Sequence, residues 1–562
     1  MNNKQWYVAD FETTGLNYYN KHGHTKVWLY AICDSEANIV EWGTSIEGFM
    51  KWLNKHPKTE IYFHNLKFDG SFILNYLLNN NFKHTEDLKT KDNKGFNTLI
   101  GEEGQYYQIK INFARNKQVK LLDSLKIIPL KVKEIAKAFG LEISKGSIDY
   151  DDYTINDETL EYVFNDVKIV AKALKFFKEN GFNKMTIGSN AYNLFKEQEE
   201  YFKSLFPTLD RELLSEWRGA YRGGRCQVNP KYQDKIMNNV YRFDINSMYP
   251  YAMSRFDMPY SKPIILPKRN MLKFEIYKVD ISFKLKKGHL PTLLKSGSMF
   301  SKGADSYYIN TNGIETLYIS NIDYELLERH YDITFCNFLK IWGFKTTKVI
   351  FRDYIDKYYE LKNNSTGGMK LLWKLIINNL YGKFGSNIKG RSKIPVLDEN
   401  NSLSFTLSEE HDKGLYYLPV AIAITSHCHK LLDDAIMQIG YENFVYCDTD
   451  SVHSLIPLPT DMIDNKEIGK FKLEGIETMS KYIRQKCYVY KEENKYNVTC
   501  SGMCETLKDY LVREYGDKIF DVFSIGLKLN SDSPNIKYSD LKLRPKQVKG
   551  GTILVPTEFS LN

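Results

Sequence analysis

The sequence predicts a multidomain protein of mixed α/β and α+β class. Three observations lead there. The chain has 562 residues, more than one hydrophobic core usually organises. Its first 185 or so residues alternate short strand-like runs with one long amphipathic helical pattern. The remainder gathers strand-like pieces, a helical stretch and further strands in separate blocks.

The elements follow in order. "WYVADFE" (6–12) and "TEIYFHN" (59–65) read as strands, and "YYQIKINF" with "QVKLLDSL" as a hairpin. "NDETLEYVFNDVKIVAKALKFFKENG" (156–181) closes the segment as a helix, with Asp157 and Glu158 in its first turn and Gly181 beyond its end. "VYRFDINSMYP" (240–250) reads as one strand on which Asp244, Asn246 and Met248 share a face, with Tyr249 beyond them as the strand ends. Strand-like pieces such as "FEIYKVDISFKLK" occupy 251–349. Residues 350–385 are helical, broken at Asn-Asn-Ser-Thr-Gly-Gly. A polar hairpin is expected over 386–415, a helix over "VAIAITSHCHKLLDDAIMQIG", and a hairpin over "NFVYCDTDSVHSLI" (443–456). The last sixty or so residues read as strand and loop.

Composition narrows the function. Apolar residues at 43% and charged residues at 26% describe an ordinary globular chain. The 77 Lys and Arg against 69 Asp and Glu leave a charge of +8, compatible with a polyanionic partner without demanding one. Aromatics reach 14%, with 40 Tyr; interleaved with Lys and Arg they suit base stacking, although most must serve the core. The eight cysteines contain no CxxC pair, which points away from a zinc ribbon or disulfide framework and towards a reducing compartment. "MNNKQWYVADFETTG" leaves no room for a signal peptide, and "LPVAIAIT", among the longest apolar runs, is far too short to span a membrane.

Carboxylates carry the chemistry. Asp10 and Glu12 alternate on a strand and so point the same way. Asp69 follows the second strand directly. Tyr162 and Asp166, four apart, share a face of the closing helix. Four acids from two strand ends and a helix could converge on two metal ions, the arrangement that hydrolyses a phosphodiester. In the second half, Lys374, Asn378 and Tyr381 form one polar stripe on an apolar helix, where a cation, an amide and a phenol could meet a triphosphate, a sugar and a base. Asp448 and Asp450 stand at a hairpin tip. Local hydrogen bonding could by itself explain Asp-Thr-Asp-Ser there; alternatively, the two carboxylates hold a divalent cation with substrate phosphates.

The order D-x-E, N-x-x-x-D-G, Y-x-x-x-D resembles the three exonuclease motifs of the DEDD-type 3′–5′ proofreading domain, which has a ribonuclease H-like fold. The resemblance implies that Asp10, Glu12, Asp69 and Asp166 bind metal and that Tyr162 positions the attacking water. It gives Thr13, Asn65, Phe68, Ser124 and Leu125 the frayed single strand, and Lys145 an assisting role. D-x-x-S-x-Y-P (244–250), K-x-x-x-N-x-x-Y-G (374–382), Y-x-D-T-D (446–450) and "KCY" (486–488) resemble motifs A, B, C and K-x-Y of family B DNA polymerases. By that resemblance Asp244, Asp450 and the Ile245 carbonyl hold two magnesium ions (manganese is possible), with Asp448 supporting. Lys374 contacts the triphosphate, with Lys362 and Lys370 as further basic candidates. Tyr249 sits under the deoxyribose and excludes a 2′-hydroxyl, Asn378 and Tyr381 lie at the nucleotide, and Lys486 and Tyr488 hold the primer end.

The compact length and two insertions resemble the terminal-protein-dependent, protein-primed family B polymerases of small linear-genome phages. "YRGG" (Tyr221, Gly223, Gly224) is similar to their Y-x-G-G segment, which couples primer handling between the two sites. Asn379 stands where the family commonly has Ser, and Met248 where Leu is common; both changes predict tuned nucleotide affinity. The resemblance implies a ribonuclease H-like exonuclease domain (1–185) and a palm (186–250 and 416–503). It implies a first insertion contacting terminal protein and DNA (251–349), fingers (350–385), a second insertion for processivity and strand displacement (386–415), and a thumb (504–562). It implies a monomer acting on primer-template and single-stranded DNA with deoxynucleoside triphosphates and a terminal protein, in the cytoplasm of an infected host cell. The alternatives are a DNA-primed plasmid or mobile-element replicase, a DEDD exonuclease whose second half binds DNA without polymerising, and a single-strand-binding protein without catalysis.

Overall fold

The computed structural model describes residues 5–141, 152–295 and 306–561. Lys145 lies outside the described residues.

The first eight strands are β1 (Trp6–Thr13), β2 (Val27–Asp34), β3 (Ile39–Gly43), β4 (Glu60–Phe63), β5 (Lys83–His84), β6 (Gly95–Ile100), β7 (Tyr106–Ala114) and β8 (Lys117–Asp123). They form one sheet in the order β3-β2-β1-β4-β8-β7-β6-β5. Strand β1 lies inside the sheet, antiparallel to β2 and parallel to β4. Strand alternation divides the side chains of β1 between two cores. Tyr7, Ala9 and Phe11 enter one core, with Phe49, Phe63 and Leu66. Val8 enters the other, with Val163, Val167 and Val170 of the closing helix. Asp10 and Glu12 therefore belong to the Val8 side, facing that helix. Helix α1 (Leu66–Asn79) starts directly after β4, and α2 (Asp157–Glu179) is the closing helix, started by the Asn156 carboxamide accepting from the Thr159 N–H at 2.9 Å.

After Gly224 come β9 (Cys226–Val228), β10 (Ile236–Met237) and β11 (Val240–Ile245), then helix α3 (Met248–Arg255). The expected strand over 240–250 thus stops at Ile245. Ser247 takes left-handed backbone (φ 52°), and the Asn246 side chain donates to the Asp464 and Glu467 carbonyls. These constraints turn the chain, so Met248 and Tyr249 lie on a helix and do not continue the Asp244 face.

The next segment contains β12 (Met258–Ile265), β13 (Phe274–Leu285), β14 (Glu315–Ser320), helix α4 (Asn321–His330) and β15 (Tyr331–Thr347), with the sheet order β12-β15-β13-β14. Helices α5 (Arg352–Asn363) and α6 (Gly367–Phe384) flank the break read from the sequence. The polar hairpin is β16 (Lys389–Gly390) with β19 (His411–Asp412) at its base and β17 (Lys393–Leu397) with β18 (Leu403–Leu407) above. Helix α7 (Leu418–Ile439) lies in the largest core and leads to β20 (Phe444–Asp448), β21 (Ser451–Ser454) and β22 (Phe471–Glu477). With β9 and β11 these make a five-stranded sheet ordered β22-β11-β21-β20-β9. A neighbouring sheet joins β10 to β23 (Met479–Arg484), β24 (Cys487–Glu492) and β25 (Lys495–Cys500).

The last sixty residues depart from expectation. They hold the helix α8 (Glu505–Tyr515), whose Leu507, Tyr510 and Leu511 pack beneath β24 and β25. The spacing of these three residues is helical, but charged neighbours conceal it in the sequence. No helix among the described residues is long and apolar enough to cross a membrane.

Candidate active sites

The first acid cluster is built where β1, α1 and α2 meet. Asp69 lies in the first turn of α1 and is buried, as is Asp166 on α2. Asp69 accepts the Phe11 backbone N–H; burial pushes its carboxyl well above the usual carboxylate range, and the charges of Asp10 and Glu12 add to the shift. Its Oδ1 has no hydrogen-bond partner among the described residues. Asp10 and Asp166 line one cleft of about 110 Å³ with His64. Tyr162 is buried one turn before Asp166. Packed acids that raise one another's affinity for protons, with an unsatisfied oxygen, fit a hard cation with oxygen ligands.

Beside this cluster lie residues expected to handle a single strand. Asn65 adopts left-handed backbone (φ 83°), and its N–H donates to Asp123 Oδ1 at 3.1 Å. The Leu125 N–H donates to the same oxygen at 3.0 Å. Ser124 donates to the Phe63 carbonyl at 3.0 Å and meets His64 Nδ1 at 3.0 Å. Asp123 thus ties Asn65 to Leu125. No sequence pattern singles it out, since it only ends β8 within "QVKLLDSL". Phe68 follows on α1, its ring 5.8 Å from that of Phe72, and Thr13 ends β1.

The second cluster lies on the five-stranded sheet. Asp244 sits on β11 opposite Ser451 of β21 and Lys472 of β22. The Ile245 N–H donates to the Asp450 carbonyl at 2.8 Å, which fastens β11 to the hairpin tip. Burial pushes Asp244 up to about 7, with Asp450 and Glu474 adding and Lys472 and Lys374 opposing. Asp450 is also raised, by burial and by Asp448. Asp448 is held differently: Lys486 Nζ donates to both its oxygens at 2.7 Å. Lys472 was missed from sequence because only the register of β22 places it here.

Around the acids stand cations and rings. Lys362 Nζ reaches Ser247 Oγ at 3.4 Å, and its ammonium is lowered to about 8 by burial and by the charges of Lys374 and Lys370. The three lysines therefore form one positive cluster at the α5–α6 ends. Tyr249 and Tyr381 stack at 4.1 Å with planes 14° apart. Asn378 is half-buried on the Lys374–Tyr381 face, whereas the Asn379 amide bonds back to the Leu375 carbonyl at 2.9 Å. Tyr488 stacks on Tyr482 at 4.9 Å. The Arg218 guanidinium covers the Tyr221 ring, against which the Gly385 backbone packs. A Cβ on Gly224 would stand 2.8 Å from Thr449 Oγ1, so only glycine lets this segment lie against the Asp448–Asp450 turn.

In both places the charged donors are carboxylates. Among the described residues no three His, Cys, Asp or Glu side chains are grouped so as to hold a metal ion by themselves. Magnesium suits this pattern, since it takes one or two carboxylates together with substrate phosphates.

Comparison with known proteins agrees along the whole chain. The family described as DNA polymerase type B, organellar and viral, matches residues 53–153 and 151–455. The chain is 35% identical over 598 aligned positions to the DNA polymerase of Bacillus phage phi29, with 99% of each covered. It is 30% identical to that of Streptococcus phage Cp-1, covering 99% of this chain and 98% of the other. Solved structures of the phi29 enzyme superpose with TM-scores of 0.88, complexed with primer-template DNA, and 0.89, in a ternary complex with primer-template DNA and incoming nucleotide substrates; each is 33% identical and covers 99% of this chain or more. The fold is that of a multidomain exonuclease-plus-polymerase protein, and the chain belongs to the type B DNA polymerases of organelles and viruses, as a DNA-directed DNA polymerase of the phi29 type.

Proposed function

We propose that this polymerase couples synthesis at Asp244, Asp448 and Asp450 to 3′–5′ proofreading at Asp10, Glu12, Asp69 and Asp166, and begins from a terminal protein when replicating a linear phage genome in the host cytoplasm. The observation that carries this reading is the presence of two separate acid clusters in one chain, the second with Lys374 near enough to lower Asp244 and with Lys362 and Lys370 beside Lys374. The domain boundaries expected from sequence are part of the proposal, as is action as a monomer on primer-template DNA. The related phi29 enzyme has been solved with primer-template DNA, with single-stranded DNA and with incoming nucleotides.

In polymerisation, Lys362, Lys370 and Lys374 bind the triphosphate and neutralise its charge. Tyr249, braced by Tyr381, forms the wall that leaves no room for a 2′-hydroxyl. Asp244, Asp450 and the Ile245 carbonyl would hold magnesium, and manganese could replace it. Magnesium held there would supply activation of the primer 3′-oxygen and neutralisation of the departing pyrophosphate. Lys486 keeps Asp448 in place and lies where Tyr488 can meet the primer end. In proofreading, Asp10, Glu12, Asp69 and Asp166 would hold the corresponding pair of ions, Tyr162 orients water, and Thr13, Asn65, Phe68, Ser124 and Leu125 receive the strand.

The test uses a 5′-labelled primer on a longer template with magnesium. Extension with all four deoxynucleoside triphosphates and shortening without them is the expected result. Shortening under both conditions would instead favour a nuclease. Transfer of the first nucleotide to a candidate terminal protein tests priming, and strict dependence on a DNA 3′-end would overturn it.

A further inference from the structure

The turn that presents Asp448 and Asp450 is strained. Thr449, a β-branched residue, takes left-handed backbone at φ 60°. Such a turn persists only when its surroundings hold it. The Thr449 N–H donates to the Arg225 carbonyl at 2.7 Å, and β9, which starts at Cys226, pairs that residue with Asp448. Arg225 is thus the backbone anchor of the turn, and its side chain shows what anchors Arg225 in turn.

That side chain is 1% exposed, and its Nη1 donates to Asp433 Oδ1 on α7 at 3.0 Å. Asp433 is completely buried, and its other oxygen accepts from Arg329 Nη1 at 2.7 Å and His330 Nε2 at 2.9 Å, both at the end of α4. These partners hold its carboxyl far below the usual range despite burial. One helical turn earlier on α7, His429 donates to the Gly223 carbonyl at 2.6 Å and meets Asp323 Oδ1 of α4 at 2.9 Å. So α7 grips the Gly223–Arg225 segment at two points, and α4 braces each grip.

We propose that Asp433 is a positioning residue for nucleotidyl transfer: it fixes Arg225, whose carbonyl fixes the Thr449 turn that aims Asp448 and Asp450 at Asp244. Arg329 and His330 complete the grip, so the seating of the β12–β15 segment is transmitted to the acids. This rests on the reading of those acids as the polymerase metal site. Residues that orient metal ligands from behind typically govern metal affinity and rate together. Loosening Arg225 lets Thr449 relax to ordinary backbone and swings the two carboxylates apart.

The experiment replaces both buried partners by apolar side chains of similar size, Arg225→Met with Asp433→Leu. Exchanging Arg225 and Asp433 together leaves neither of the two charges buried alone, while Arg329 keeps Asp434 and His330 keeps Tyr441 as partners. The full chain, with Asp10→Ala and Glu12→Ala removing the other metal site, is titrated with Mn2+ alone, and free Mn2+ is followed by electron paramagnetic resonance. Nucleotide incorporation and thermal melting are measured on the same samples. The expected result is a folded protein whose Mn2+ affinity and incorporation rate each fall ~10-fold. A folded double variant with parental Mn2+ affinity and rate would overturn the proposal. If the double variant does not fold, Arg225→Lys decides. It keeps the charge on a shorter, single-pronged donor and should weaken Mn2+ binding by a smaller factor, and parental binding would again overturn the proposal. Asp450→Ala in the same background separates the two readings: unchanged Mn2+ affinity there would remove the metal site itself, and this proposal with it.

Discussion

At the eight-stranded sheet Asp69 and Asp166 are buried between β1 and its helices, with Asp10 and Glu12 half-buried beside them, whereas all three of Asp244, Asp448 and Asp450 stay half exposed on a sheet with lysines around it. The electrostatics differ accordingly. After burial, the influences that raise Asp69 are the acids Asp10 and Glu12. Asp244 is raised by burial and Asp450, but Lys472 and Lys374 pull it back, while Lys486 pairs directly with Asp448. A site that trims a strand meets one phosphodiester at a time. A site that adds nucleotides must also neutralise a triphosphate, and in the proposed function the Lys362–Lys370–Lys374 cluster is the source of that charge.

The strongest way to break the comparison is to disable one site and watch the other. Asp450→Ala removes a proposed metal ligand, and a metal so held would contribute several kcal/mol of charge stabilisation, so synthesis should fall ~10³-fold. Degradation of single strands should be unchanged, and loss of both activities would mean that the sites are not independent. Asp10→Ala with Glu12→Ala should do the reverse, lowering the exonuclease rate by ~10²-fold or more while extension continues. Both rates can be read from one labelled primer.

A smaller effect sharpens the contrast in charge. Lys374→Ala should raise the KM for deoxynucleoside triphosphates about 10-fold, the size of a lost charge-assisted contact to phosphate. Single-turnover exonuclease rates should stay the same. Equal changes in both activities would place Lys374 in general DNA binding instead of at the triphosphate.

Much of this contrast was legible in the sequence. The alternation of Asp10 and Glu12, the four-residue spacing of Tyr162 and Asp166, and the Lys374–Asn378–Tyr381 stripe are local patterns, and local geometry carries them into the structure. The Asp448–Asp450 hairpin was equally plain. Residues placed by long-range pairing escaped. Lys472 reaches Asp244 through the register of β22, and Asp433 reaches Arg225 across more than two hundred residues. The strand over 240–250 ends five residues early, at Ile245, because nothing in "DINSMYP" announces the left-handed Ser247, which the Asn246 contacts to a distant loop help to enforce. Helix α8 was missed because its apolar stripe is short and punctuated by charge.

The smallest expected effect concerns protons. Asp244 is pushed from 3.8 to about 7, so between those values the metal-free folded chain binds a proton that the unfolded chain releases. Its contribution therefore makes metal-free stability fall as pH rises through that window. Magnesium must displace the same proton, so its apparent affinity should rise with pH and level off above about 7. From pH 6.5 to 8 the magnesium midpoint for incorporation should drop ~4-fold, the ratio of the ionised fractions for a group of that pKa. The gain in melting temperature on adding magnesium should be larger at the higher pH. Because Lys374 is one of the charges that lower Asp244, Lys374→Ala should move this pH curve to higher values while the exonuclease curve stays in place. A curve that does not move would mean that the lysines neutralise substrate alone and do not temper the acids beside them.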